Sequence, residues 1–93
     1  MWQFNIIING NNKILLEQVL NGLRMQLFQL KDKGLDVGED VDTDSNHRFT
    51  ISGHKGPVLA KYNESSQLSK NRSYKAILYF NKIQLSVTKP VEV

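Results

Sequence analysis

The sequence predicts an α+β domain, in which one long N-terminal helix packs across a curved antiparallel sheet in the order β-α-β-β-β-β. Three observations carry this prediction. Residues 2–9 alternate apolar and polar side chains, the stretch from 12 to 34 changes to a helical period, and the remainder returns to short apolar runs separated by polar turns. The 93 residues fit a single domain, 1–93, with one modest core.

The first strand is read from "WQFNIIIN". Trp2, Phe4, Ile6 and Ile8 share one face; Gln3, Asn5 and Asn9 share the other, with Ile7 as an apolar intruder. "NGNN" ends the strand, and Asn11 or Asn12 is placed to cap a helix.

The helix is read from "NKILLEQVLNGLRMQLFQLKDKG". Leu15, Leu16, Val19, Leu20, Leu23, Leu27 and Leu30 fall within an arc of about 140° when the chain advances 100° per residue. Lys31 and Lys33 suit the negative end of the helix dipole, and Gly34 is a fitting C-terminal stop. Gly22 lies beside the buried arc, where close packing accounts for a residue that otherwise weakens a helix. Ile14, Met25 and Phe28 project to the far side, at about 260°, 280° and 220°. Single exposed apolar side chains are ordinary, but three on one face point to contact with another protein or with a second copy in a homodimer.

Residues 35–46 have little periodicity and read as a loop, with a short extended piece at 35–37. Asp40, Asp42 and Asp44 alternate as at the start of a calcium loop. Such a loop wants glycine at its sixth place and glutamate at its twelfth, where this chain has Ser45 and Ile51. The expected role of residues 39–44 is therefore a hydrophilic linker that stays out of the sheet, and no metal site is assigned.

"HRFTISG", a His54–Lys55 turn and "GPVLAKYN" read as a hairpin. It pairs Ile51 with Val58 and Phe49 with Ala60, and sets Arg48 against Lys61. "YKAILYF", an Asn81–Lys82 turn and "IQLSVTK" read as a second hairpin, stopped by Pro90. The core expected beneath the leucine stripe is Phe4, Ile6, Phe49, Ile51, Val58, Leu78, Phe80, Leu85 and Val87. This order of elements is also that of the cystatin and monellin architecture. The Gln-x-Val-x-Gly hairpin of inhibitory cystatins has no counterpart in "SGHKGPV", so the topology implies no inhibitory function.

The absence of cysteine excludes disulfides, thiolate metal sites and cysteine catalysis. "MWQFNIIINGNN" has neither a basic leading segment nor a small-residue cleavage site, and no run approaches the roughly 18 apolar residues that span a bilayer. These features lead to the expectation of a cytoplasmic protein. His47 and His54 would lie roughly 23 Å apart on one strand, too far to share a proton or a metal. "GHKG" lacks the length and ending of a phosphate-binding loop. No acid, base and nucleophile set is evident and no cofactor is called for, so the chain reads as non-enzymatic.

The net charge of +3 is unevenly spread: residues 1–46 carry four basic and seven acidic side chains, residues 47–93 eight and two. The leading expectation is a small protein-binding domain (an adaptor, a subunit or an inhibitor, including a virus- or plasmid-encoded antagonist of a host enzyme). Its contacts would be Ile14, Met25 and Phe28 on the helix, and Ile77 and Tyr79 on a sheet face shared with Ile7 and Leu59. The alternative is a nucleic-acid-binding module that uses Arg48, Lys55, Lys61, Arg72 and Lys75.

Overall fold

The computed structural model describes residues 1–65 and 82–93. Strand β1, Trp2–Asn9, buries Phe4, Ile6 and Ile8 on one face, as the alternation predicts. Asn12 caps helix α1, Lys13–Asp32: its side-chain oxygen accepts from the Leu15 N–H at 3.2 Å and its carbonyl from the Leu16 N–H at 2.8 Å. The helix buries Leu16, Val19, Leu20, Leu23, Leu27 and Leu30, with Leu15 packed at the margin.

The end of α1 is a Schellman motif. The Gly34 N–H donates to the Lys31 carbonyl, and the Leu35 N–H reaches back to the Leu30 carbonyl. Gly34 has φ +82°, a left-handed conformation that suits glycine, and Leu35 is buried with Leu30 in the core.

Residues 36–41 correct the first expectation. The acidic segment joins the sheet as strand β2, Asp36–Val41, paired antiparallel with β3, His47–Gly53. Asp and Gly are poor strand formers, so the local sequence reads as a loop. The backbone ladder to β3, with Val37 packed against the core, prevails over that preference.

The two strands are joined by residues 42–46, a tight loop closed by the Asp42–Asn46 pair. The Ser45 N–H donates to the Asp42 carbonyl at 3.1 Å, the Asp42 N–H donates to the Asn46 carbonyl at 3.1 Å, and Ser45 has φ +62°. Asp42 organises this loop. Its Oδ1 accepts from the N–H groups of Asp44 and Asn46, and its Oδ2 from the Asn46 amide, which holds its carboxyl below the ordinary range. Asn9 ties the loop to β1 through the Asp44 carbonyl and Asn46 Oδ1.

Residues 56–64 are a second correction. They form helix α2, Gly56–Glu64, and not a strand. Val58, Ala60 and Tyr62 satisfy a period of two, but Val58, Leu59 and Tyr62 also satisfy the helical spacing, and a short apolar run does not discriminate. Pro57 at the helix start tips the balance, because proline suits a first turn and deprives a strand of a donor. The pairings with Val58 and Ala60 therefore do not form. Ile51 instead lies between Phe4 and Val37, and Phe49 between Ile6 and Glu39. Arg48 lies between Ile7 and Asp40, which removes the expected repulsion from Lys61.

Leu59, expected on the outer sheet face, is fully buried in the core, and the Tyr62 ring tilts against Phe4 with centroids 6.1 Å apart. Val58 packs at the core margin. A helix does come after "GHKG", but its first turn is covered: a Cβ at Gly56 would lie 2.6 Å from the Trp2 indole.

Strand β4, Gln84–Val87, pairs with the second half of β1, turning Leu85 and Val87 toward the core, while Ile83 is buried beside them. Lys82, before the strand, takes a positive φ of +52°. The partner expected for this strand in the second hairpin, with Leu78 and Phe80, lies outside the described residues. Pro90 does not end the pattern: β5, Val91–Glu92, pairs with Trp2 and Gln3. Three residues, Thr88–Pro90, stand opposite Phe4 and Asn5, so the edge bulges at the residue without an N–H. Thr88 stitches the bulge to Asn5, its N–H donating to the Asn5 carbonyl and its Oγ1 accepting from the Asn5 N–H at 2.8 Å.

The sheet order is β2-β3-β1-β4, with β5 beside β1. Among the described residues, taken from the other edge, β4-β1-β3-β2 with the elements β-α-β-β-α-β has the strand order of the split β-α-β, ferredoxin-like arrangement, and α2 stands where the expected order β-α-β-β-β-β has a strand. Both helices lie on the face of Phe4, Ile6, Ile8, Phe49 and Ile51. The opposite face carries Gln3, Asn5, Ile7, Asn9, Arg48, Thr50 and Ser52, with the Thr50 hydroxyl donating to Asn5 Oδ1 across it. No described helix is long and apolar enough to cross a membrane.

Candidate functional site

Helix α1 spends its leucines on the sheet, so its far side is left to solvent. Ile14, Met25 and Phe28 there retain 75%, 74% and 64% of their accessible surface, far more than any core residue. Met25 and Phe28 are one turn apart and adjoin. Ile14 lies about 16 Å away along the axis, with Gln18 and Asn21 on the same stripe between. The helix thus presents a compact apolar pair and a separate apolar outpost.

Phe28 also borders a groove that sequence reasoning missed. Between α1 and β2 lies a hollow of about 220 Å³ lined by Arg24, Leu27, Phe28, Lys31, Val37, Gly38, Glu39 and Phe49. Leu27, Val37 and Phe49 make its apolar surface, and Arg24 and Glu39 close one wall. The Arg24 guanidinium grips Glu39 with Nε to Oε1 at 2.7 Å and Nη2 to Oε2 at 2.6 Å, and also reaches Asn21 Oδ1 at 2.8 Å and Glu17 Oε2 at 3.5 Å. The hydrogen bonds from Arg24 hold the Glu39 carboxyl below its usual range, and Glu39 in turn raises the Arg24 guanidinium. A shallow hollow lined by Lys31, Gly34, Leu35, Asp36 and Val37 adjoins it. The sequence held one signal of this site: Val37, Glu39 and Val41 share a face at strand spacing.

Among the described residues, those proposed for nucleic acid, Arg48, Lys55 and Lys61, stand on separate elements. Arg48 stands on the outer sheet face, 3.9 Å from Asp42 Oδ2. Lys55 precedes α2 and lies beside Gly34, and Lys61 is exposed on α2. Arg72, Lys75, Ile77 and Tyr79 lie outside the described residues. The outer positions of β1 and β3 carry no aromatic side chain on which a base could stack.

Among the described residues, no three His, Asp or Glu side chains converge to hold a metal ion, and the acidic run spends Asp42 on its own turn. His47 starts β3, while His54 lies beyond the strand's end in the bend before α2. Gln26 Oε1 and His47 Nδ1 are enclosed without a hydrogen-bond partner among the described residues.

Comparison of the chain with protein-family models, with curated proteins and with solved structures finds no significant match.

Proposed function

We propose that this chain is a non-catalytic protein-binding domain, an adaptor, subunit or inhibitor, that meets its partner on the outward side of α1. The observation that supports this reading is the exposure of Met25 and Phe28 as an adjoining pair beside the α1–β2 groove. Large apolar side chains at the rim of an apolar hollow lose water favourably when covered, and Met adapts its shape to what covers it. The polar stripe between Met25 and Ile14 supplies the hydrogen-bonding rim that such contacts carry.

The test is a double substitution, Met25→Lys with Phe28→Asp. The purified chain and the variant are used to capture partners from the source cell, with and without nuclease, and the mass of each complex is measured. Loss of a defined complex by the variant, with helix content and melting temperature unchanged, supports the reading. A complex the variant retains overturns it, and capture that nuclease abolishes overturns it and favours the alternative, nucleic acid held by Arg48, Lys55, Lys61, Arg72 and Lys75. A second copy as partner registers as a concentration-dependent dimer mass.

A further inference from the structure

We infer that the edge of β2 is a docking strand for an extended segment of a partner protein whose side chains alternate apolar and basic. The inference rests on the protein-binding reading above and names the chemistry of the partner. Among the described residues β2 ends the sheet and pairs with β3 alone.

The hairpin fixes which backbone groups face outward. The Asp42–Asn46 hydrogen bond makes the even-numbered residues of β2 the ones bonded to β3, so the odd-numbered ones point their N–H and C=O groups away. The Val41 N–H is already taken by Asp40 Oδ1 at 2.8 Å. The N–H and C=O groups of Val37 and Glu39 remain, spaced to accept one added strand.

Side chains of an added strand would alternate between the two faces. Those on the helix side enter the groove over Leu27 and Val37, with Phe28 at its rim, which selects apolar residues. Those on the other side meet Asp36 and Asp40, neither of which forms an ion pair among the described residues; Arg48, across the ladder from Asp40, lies nearer to Asp42, at 3.9 Å. Gly38 sits between these two carboxylates. Its backbone does not require glycine, and the nearest heavy atom to an added Cβ is 4.0 Å away. The missing side chain leaves the Asp36 carboxylate and Asp40 Oδ2 within reach of a long cationic side chain, Asp40 Oδ1 being held by the Val41 N–H, and glycine in a strand commonly marks such an approach.

The same charges decide against a second copy. Between Asp32 and Asp44 the chain has six acids and one base, so pairing β2 with its own copy sets like charges face to face. The chain as a whole is basic, at +3, so indiscriminate attraction of cations does not explain selective binding here.

The probe is an end-capped hexapeptide of alternating valine and lysine, titrated into the full chain, with valine–serine and valine–glutamate peptides as controls. Amide chemical shifts locate the binding. The valine–lysine peptide is expected to bind at least about tenfold more tightly than the serine peptide and to shift the Val37 and Glu39 amides. Rising salt should weaken it, and the Asp36→Asn/Asp40→Asn variant should lose about that tenfold preference while keeping the wild-type melt. Equal binding of all three peptides, shifts confined to residues outside β2 and α1, or no binding at millimolar concentration overturns the inference. The Met25→Lys/Phe28→Asp complex assay reads separately. A complex lost there, with no peptide binding on β2, removes this inference and leaves the protein-binding reading standing.

Discussion

Arg24 and Glu39 stand fork to fork, with nitrogen–oxygen distances of 2.7 and 2.6 Å, and so join the middle of α1 to the outermost strand. No other ion pair among the described residues joins α1 to the sheet, and this one borders the groove.

Because the pair is partly exposed, its contribution is small. A double-mutant cycle with Arg24→Met and Glu39→Gln should give a coupling of about 0.2–1 kcal/mol in urea unfolding. The Glu39 carboxyl is depressed, so its contribution is complete above its ordinary value of about 4.3 and is lost as pH falls through the lower folded-state value. Glu39→Gln should remove that part of the acid-side slope. An unchanged acid limb in the variant contradicts the assignment.

The loop between β2 and β3 places Ser45 in the left-handed region, where most side chains are strained. Ser45→Gly should relieve this and raise stability by up to about 1 kcal/mol, net of the glycine's extra unfolded-state freedom. Asp42→Ala should lower the melting temperature, because three loop donors lose their acceptor. Asp42 is also depressed, so its contribution is present above about 3.9 and disappears as pH falls below it. Thermal melts of the two variants at neutral and acid pH check both directions.

At the other end of α1, Gly34 holds the Schellman turn at φ +82°. Gly34→Ala should cost about 1–2 kcal/mol from backbone strain alone. The Lys55 side chain, within 3.3 Å of the added Cβ, must also yield. Chemical denaturation measures the loss, and a neutral result contradicts the left-handed turn.

The two sides of α1 should answer differently to truncation. Leu23→Ala opens a cavity beneath the helix and should cost about 2–5 kcal/mol. Met25→Ala, two residues on and facing solvent, should change stability by no more than about 0.5 kcal/mol. Equal losses in urea unfolding contradict the separation of core stripe from outer face.

Trp2 is the sole tryptophan, and its indole fills the space beside Gly56. Gly56→Ala should push the ring toward water, shifting its emission to the red. Crowding of this kind costs about 1–3 kcal/mol where the ring does not swing clear. An emission spectrum identical to wild type contradicts the packing of Trp2 on the start of α2.

The groove beside Phe28 was only half visible in the sequence. Met25 and Phe28 stood out because they fall outside a leucine arc that is otherwise complete. Val37, Gly38 and Glu39 did not, because acids and a glycine in so short a segment read as a loop until a neighbouring strand is there to pair with them. Arg24 gave no sign of its partner on β2, since an ion pair between separate elements leaves no periodic trace.

Local apolar patterning is enough to specify β1, α1 and β3 and the face that each buries. Their apolar residues repeat over enough positions that only one conformation puts them all out of water. What lies on either side of β3 depends on contacts between distant segments. A strand's backbone groups can pair with any extended neighbour, so the choice fell to whichever segments could reach it while keeping the core covered. Residues 56–64 satisfied both periods, and as a helix they close the core with Leu59. That left the free side of β3 to the acidic segment, and with it the groove and the docking edge.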